Sequence, residues 1–161
     1  MKLTHYTTVT LRKLRKSDLE DYYLLVGDRS VMAFIGNAYS FQEAENELNR
    51  IIDNNRSDFN IWAAEDENKN FVGIGMLQQQ KEDSCNIGYR VQKKYWGMGF
   101  GMQIAQSLIQ KAAQNSLKVV YAEVEMENTA SLKILEKLNF EEIEIRTNDM
   151  NNLIGLFCRN L

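Results

Sequence analysis

The sequence holds 161 residues, 44% of them apolar and 25% charged, the proportions of a folded globular chain rather than a disordered one. A chain of this length buries roughly two thirds of its unfolded surface in one core, so a single domain over residues 1–161 is expected. Nineteen basic against twenty-two acidic residues leave a formal charge of -3, without the basic excess that a nucleic-acid footprint needs. The mild acidity suits a cationic partner as well as it suits simple solubility.

Cys85 and Cys158 are far apart, with no CxxC spacing and no neighbouring cluster of histidines or acids, so they read as reduced thiols and no metal site is expected. His5 is the only histidine and sits in a polar stretch, which leaves no histidine to expect as a base. No apolar run approaches the ~18 residues of a membrane span, and no signal-like segment opens the chain. A cytoplasmic protein with no membrane partner is the expectation.

In chain order, Val9 to Leu14 roughly alternates apolar and polar positions and reads as a strand. Ser17 followed by Glu20 forms a capping-box pattern ahead of a helix bearing Leu19, Tyr22, Tyr23 and Val26. A second such pattern, Ser40 with Glu43, opens a helix with Ala44, Leu48, Ile51 and Ile52 on one face. Three strand-like runs follow, Phe59 to Ala64, Phe71 to Leu77 and Cys85 to Val91, separated by polar turns, and predict an antiparallel meander. Phe100 to Gln114 carries apolar residues at helical spacing, Val119 to Val124 reads as a strand, and the strand-helix-strand unit predicts a parallel pairing. A helix from about Thr129 to Leu138 ends at Asn139, a residue type that accepts the left-handed conformation. Phe140 to Ile145 and Leu153 to Phe157 close the chain as strands. The pattern predicts an α/β (α+β) fold, a mixed, mostly antiparallel seven-stranded sheet flanked by four helices.

The stretch from Ile87 to Met102 is the most informative. Its strand runs through a loop into Trp96-Gly97-Met98-Gly99-Phe100-Gly101-Met102 and the following helix. Glycines at 97, 99 and 101 let the backbone turn sharply and approach a ligand with no Cβ in the way. Exposed N–H groups at the positive end of a helix then make a site for phosphate or pyrophosphate. Taken alone, the glycines are equally consistent with a tight strand-to-helix turn. A P-loop would end in Gly-Lys-Ser/Thr, and this loop ends in Gly101-Met102. A dinucleotide fold would put its glycines after the first strand, and these follow the fourth.

With Trp96, Gly99 and Gly101 in its three defined places, the loop resembles the acetyl-CoA motif of the GNAT superfamily, Arg/Gln-x-x-Gly-x-Gly/Ala. Trp96 departs from the Arg/Gln position. The Tyr95-Trp96-Gly97-x-Gly99 run is similar to that of the branch resembling ribosomal-protein N-terminal-alanine acetyltransferases. The likeness extends to Leu11 to Leu14 with Asp18, Asp28 to Ile35, and Asn128 to Ser131 leading to Leu135 to Phe140.

The resemblance implies an N-acetyltransferase that moves an acetyl group from acetyl-CoA to a primary amine, a protein N-terminus or a small amine such as a polyamine, by direct attack. It implies that the backbone of Tyr89, Arg90 and Val91 holds the acetyl and pantetheine part in a splayed gap between strands. Trp96, Gly97, Met98, Gly99, Phe100, Gly101 and Met102 would take the pyrophosphate, Asn128 the pantetheine arm, and Leu135 the cofactor's far side. Ser131 would face the thioester sulfur and donate to the departing thiolate, and the Val91 N–H would face the acetyl oxygen. On the residues alone, Asn128 to Ser131 is also an ordinary helix cap. Where many related enzymes carry a tyrosine for the thiolate, this chain has Leu135.

Glu123 and Glu125 project from one face of their strand and are candidate bases, as is a water relay, since an α-amine of pKa near ~8 is partly neutral at physiological pH. Alternating glutamates are also what a solvated sheet face carries. A catalytically silent acyl-CoA-binding regulatory domain is the alternative reading, and a phosphate-ligand module unrelated to CoA is a further one. The acceptor's identity and the choice between monomer and homodimer stay open.

Overall fold

The computed structural model describes residues 8–54 and 58–161, so His5 lies outside the described residues. The strands are β1 (Thr10–Lys13), β2 (Phe59–Glu65), β3 (Phe71–Lys81), β4 (Ser84–Val91), β5 (Val119–Glu125), β6 (Glu141–Thr147) and β7 (Leu153–Asn160). The helices are α1 (Leu19–Val26), α2 (Arg29–Met32), α3 (Phe41–Ile52), α4 (Phe100–Gln114) and α5 (Thr129–Lys137), with 3-10 turns at Lys16–Asp18 and Lys93–Tyr95. All seven strands form one sheet in the order β1-β2-β3-β4-β5-β7-β6. Every neighbouring pair is antiparallel except β4 and β5.

Two apolar clusters cover the two faces of this sheet. On one face, Ile104, Leu108 and Ala112 of α4 and Leu135 of α5 pack over Val72, Cys85, Ile87 and Val120. On the other, Tyr22, Leu25 and Val26 of α1, Met32 of α2, and Ala44 and Leu48 of α3 pack over Ala63, Phe71 and Ile74. Alternation along each strand directs successive side chains to opposite clusters.

The first helix begins differently from its sequence pattern. Ser17 lies inside the 3-10 turn and the Ser17–Glu20 box does not form; Asp18 takes the organising role. Its carboxylate accepts the Arg15 N–H at 2.7 Å and both Arg12 terminal nitrogens at 2.8 Å, while Arg12 Nε also donates to Glu65. The bidentate guanidinium contact outbids a hydroxyl cap because it also satisfies a half-buried cation. Burial alone would raise the Asp18 carboxyl, but Arg12 and the Arg15 N–H overcome it, and Asp18 titrates below the usual carboxylate range.

The Ser40–Glu43 box does form: Ser40 Oγ accepts the Glu43 N–H and Glu43 accepts the Ser40 N–H at 2.7 Å. Asn139 takes φ 58° at the end of α5, with the Asn139 and Phe140 N–H groups bonded back to Glu136 and Leu135 carbonyls. The short α2 goes beyond the sequence reading of two helices after β1. Asp28 Oδ1 caps it, accepting from the Ser30 and Val31 N–H groups.

Candidate active site

The parallel pair β4–β5 holds for three residue pairs only, Ser84↔Val119, Cys85↔Val120 and Asn86↔Tyr121. Beyond them β4 runs on to Val91 and β5 to Glu125 without pairing, so the sheet opens between Ile87–Val91 and Ala122–Glu125. On its other side β4 stays bonded to β3, with pairs out to Gly73↔Val91 and a Gln92 N–H to Val72 carbonyl bond of 2.9 Å. Because backbone groups alternate edges along a strand, that bond turns the Tyr89 and Val91 N–H groups away from β3 and into the opening. The opening therefore offers a strand edge with donors and acceptors that β5 does not meet.

The chain leaving this edge builds the second part of the site. Gly97 and Gly99 adopt φ 75° and φ 85°, left-handed conformations that glycine adopts without penalty. A Cβ at either would meet nothing within 4 Å, so these glycines are demanded by backbone conformation and not by crowding. Gly101 differs. It lies inside α4, and a Cβ there would come within 3.0 Å of Ile134 Cδ1 and 3.4 Å of Tyr89 Cε2, so it lets α4 close against α5 and β4.

Gly99 begins the 15-residue helix α4 with no side-chain cap. The first N–H groups of that helix, from Phe100, Gly101 and Met102, have no intrahelical carbonyl to bond. They form a positive helix end suited to an anion. Phe100 itself is buried, edge-to-face with Tyr95 at 5.5 Å, and anchors the loop, whereas Trp96 and Met98 are about half exposed. Trp96 fills the motif's Arg/Gln position with a different function: its indole Nε1 donates to the Val91 carbonyl at 2.8 Å, tying the glycine loop to the end of β4.

The third part is the start of α5. Asn128 Oδ1 accepts the Ser131 N–H at 3.2 Å, so Asn128 does cap its helix, and Ser131 is half-buried one turn in. Leu135 is buried in the cluster beneath, so its side chain belongs to the floor under the α4–α5 groove.

Sequence reasoning missed the side chains of Tyr89 and Arg90. Tyr89 packs on the α4–α5 face, and its hydroxyl is buried without a well-formed hydrogen bond. Burial raises its pKa, and the Ser131 hydroxyl acts on it in the opposite direction. A phenol from β4 thus reaches the Ser131 side of the groove, although α5 has no tyrosine. Arg90, paired across β3 with Ile74, projects to the opposite face. The buried side-chain polar atoms without a partner among the described residues are Tyr89 Oη, Arg90 Nε and Gln92 Oε1, all beside the opening. Orphaned atoms are uncommon in folded proteins, and these three fall within four residues at the end of one strand. The signal was available in the sequence as strand alternation, but only the fold shows what each face meets.

Of the two candidate bases, Glu123 is held by Arg146 of β6 at 2.8 Å in an exposed ion pair. Glu125 lies further along β5, half-buried. A cavity of about 740 Å³ lies elsewhere, between the end of α3 and the start of β2, and lacks the helix end and strand edge found at the opening. Among the described residues there is no group of three potential metal ligands and no helix long and apolar enough to cross a membrane.

The chain is similar to the uncharacterized N-acetyltransferase p20 of Bacillus licheniformis, with 27% identity over 152 residues, covering 88% of this chain and 84% of that one. Its fold matches that of spermidine N-acetyltransferase from Vibrio cholerae, solved with CoA and spermine, at TM-score 0.83 and 22% identity over 95% of both chains. The ribosomal-protein α-N-acetyltransferase RimL, solved with coenzyme A, matches at TM-score 0.83 and 15% identity over 96% of this chain and 95% of its own. The acetyltransferase (GNAT) domain model matches residues 8–141, and the chain therefore belongs to the GNAT family as an acetyl-CoA-dependent N-acetyltransferase.

Proposed function

We propose that this enzyme acetylates a primary amine by direct attack within the β4–β5 opening, with CoA gripped at the start of α4. The observation that carries the reading is the uncapped N-terminus of α4 beside a split sheet. Three features fit CoA: a helix end without a side-chain acceptor, open space around Gly97 and Gly99, and a buried phenol lacking a partner. Acetyl-CoA supplies an acyl group already activated as a thioester, so no enzyme nucleophile is required.

The residues then divide the remaining tasks. Phe100, Gly101 and Met102 present N–H groups to the pyrophosphate. The Val91 N–H, turned into the opening, hydrogen-bonds the carbonyl oxygen as negative charge grows on it. Ser131 and Tyr89 place two hydroxyls on the α4–α5 side, where the departing sulfur needs a proton donor. Burial keeps the Tyr89 phenol protonated at neutral pH, as a donor must be. The acceptor amine enters from the α1–α3 face and loses its proton to water or to Glu125, Glu123 being engaged with Arg146.

The test is CoA binding and turnover on the same preparation. CoA at about 100 times its dissociation constant should raise the unfolding free energy by ~2.7 kcal/mol, and acetyl-CoA with a panel of amines should release thiol. No stabilisation by millimolar CoA overturns the reading. Stabilisation by acetyl-CoA with no thiol release from any amine favours a silent acyl-CoA-binding domain.

A further inference from the structure

We infer that the acceptor carries a carboxylate beside its amine, and that the Arg90 guanidinium is the residue that selects for it. The inference rests on the acetyltransfer reading above and adds the class of acceptor. Arg90 lies on β4 next to the last residues of the opening, one position before the Val91 N–H. Tyr89 and Val91 face α4 and α5, where CoA is held, so Arg90 faces the side from which the acceptor arrives.

One donor of its head group is unmatched. Arg90 Nε is buried and has no hydrogen-bond partner. Among the described residues, four other arginines have partners. Arg12 bonds Asp18 and Glu65, Arg50 holds Glu47, Arg146 holds Glu123, and Arg159 donates to the Leu138 carbonyl at 2.8 Å. Glu47, which shares Arg90's neighbourhood through their common effect on the Tyr22 phenol, receives two bonds from Arg50 at 2.9 and 2.7 Å. Taking a guanidinium partly out of water without an anion is costly. A strand that keeps one beside a substrate opening holds it for an anion that arrives with the substrate.

Carboxylate is the anion that fits the position best. The planar guanidinium fork matches its two oxygens. A second effect favours the reaction: a cation beside the amine disfavours its protonated form. The same charge repels polycations, so a polyamine such as spermidine is disfavoured here.

Thiol release should be measured with matched acceptors, amino acids of several amine-to-carboxylate spacings against their decarboxylated amines, together with spermidine and an acidic dipeptide. The carboxylate-bearing acceptors should show kcat/KM higher by about tenfold or more. Arg90→Gln should abolish that preference, chiefly by raising KM, while CoA binding persists; Arg90→Lys should restore part of it. The dipeptide separates a peptide terminus from a free amino acid as the source of the carboxylate. Equal rates within matched pairs, a preference for spermidine, or an unchanged preference in Arg90→Gln overturns the inference while leaving acetyltransfer standing. If no acceptor turns over but CoA binds, calorimetry of N-acetyl amino acids against N-acetyl amines on the CoA complex decides the point, and equal binding overturns the inference. Failure to bind CoA overturns the acetyltransfer reading and this one together.

Discussion

The starts of α4 and α5 both lie beside Tyr89 of β4 and are built on opposite principles. At α5, Asn128 folds its amide oxygen onto the Ser131 N–H; α2 and α3 likewise begin with an Asp28 cap and a Ser40–Glu43 box. At α4 the corresponding residue is Gly99, in a left-handed conformation and with no side chain to offer. A helix start with its own acceptor is complete without a ligand. A start that lacks one, on the longest helix of the chain and beside a broken sheet, leaves its donors for an anion to satisfy. The difference separates structural from functional use of one local motif.

The largest expected effect comes from breaking the α4 side. Gly99→Val forces a branched residue to φ near 85°, costing of the order of 1–2 kcal/mol in backbone strain, and places side-chain bulk where phosphate must approach. CoA affinity should fall about a hundredfold, some 2.7 kcal/mol. Equilibrium binding on variant protein shown to be folded checks this, and parental affinity would refute the grip at α4.

Ser131→Ala probes the residue where the two principles meet, since the Ser131 backbone is capped while its hydroxyl lies against the Tyr89 phenol. Removing a hydrogen bond to charge that appears only as the C–S bond breaks should cost about 2 kcal/mol, roughly thirtyfold in kcat, with acetyl-CoA affinity little changed. Loss of stability with unchanged turnover would confine Ser131 to the helix start.

The smallest effect belongs to the capped end. Asn128→Ala should lower unfolding free energy by ~1 kcal/mol, within the usual range for a lost cap, and weaken CoA far less than Gly99→Val does. Chemical denaturation and CoA titration of this variant measure both. A fall in CoA affinity matching that of Gly99→Val would erase the distinction between the two starts.

Much of this was legible in the sequence, because strand alternation, helical spacing and glycine placement are local properties. The runs that became β2, β3 and β4, the helix ending at Asn139 and the glycine loop all announce themselves within windows of ten or so residues. Four-residue α2 is too short for periodicity to register, and its signal was the Asp28 cap. The Ser17–Glu20 box failed because Arg12, six residues before Asp18 and drawn also to Glu65 on β2, sets a stronger competing contact. The limits of the β4–β5 pairing, and hence the opening, depend on two strands separated by α4. The roles proposed for Tyr89 and Arg90 likewise required knowing which helices cover each face.

The hydrogen bond from Trp96 to the Val91 carbonyl makes the site observable as well as joined. The indole is 49% exposed, on the loop that leads into α4, while the other tryptophan, Trp62, stacks beneath the Lys111 ammonium at 4.9 Å. Emission from the two rings therefore reports on different surroundings, solvent and loop for one, a fixed cation for the other. Under the proposed CoA grip, a ligand settling on the loop should change the first without touching the second, giving the unlabelled protein its own optical probe of occupancy.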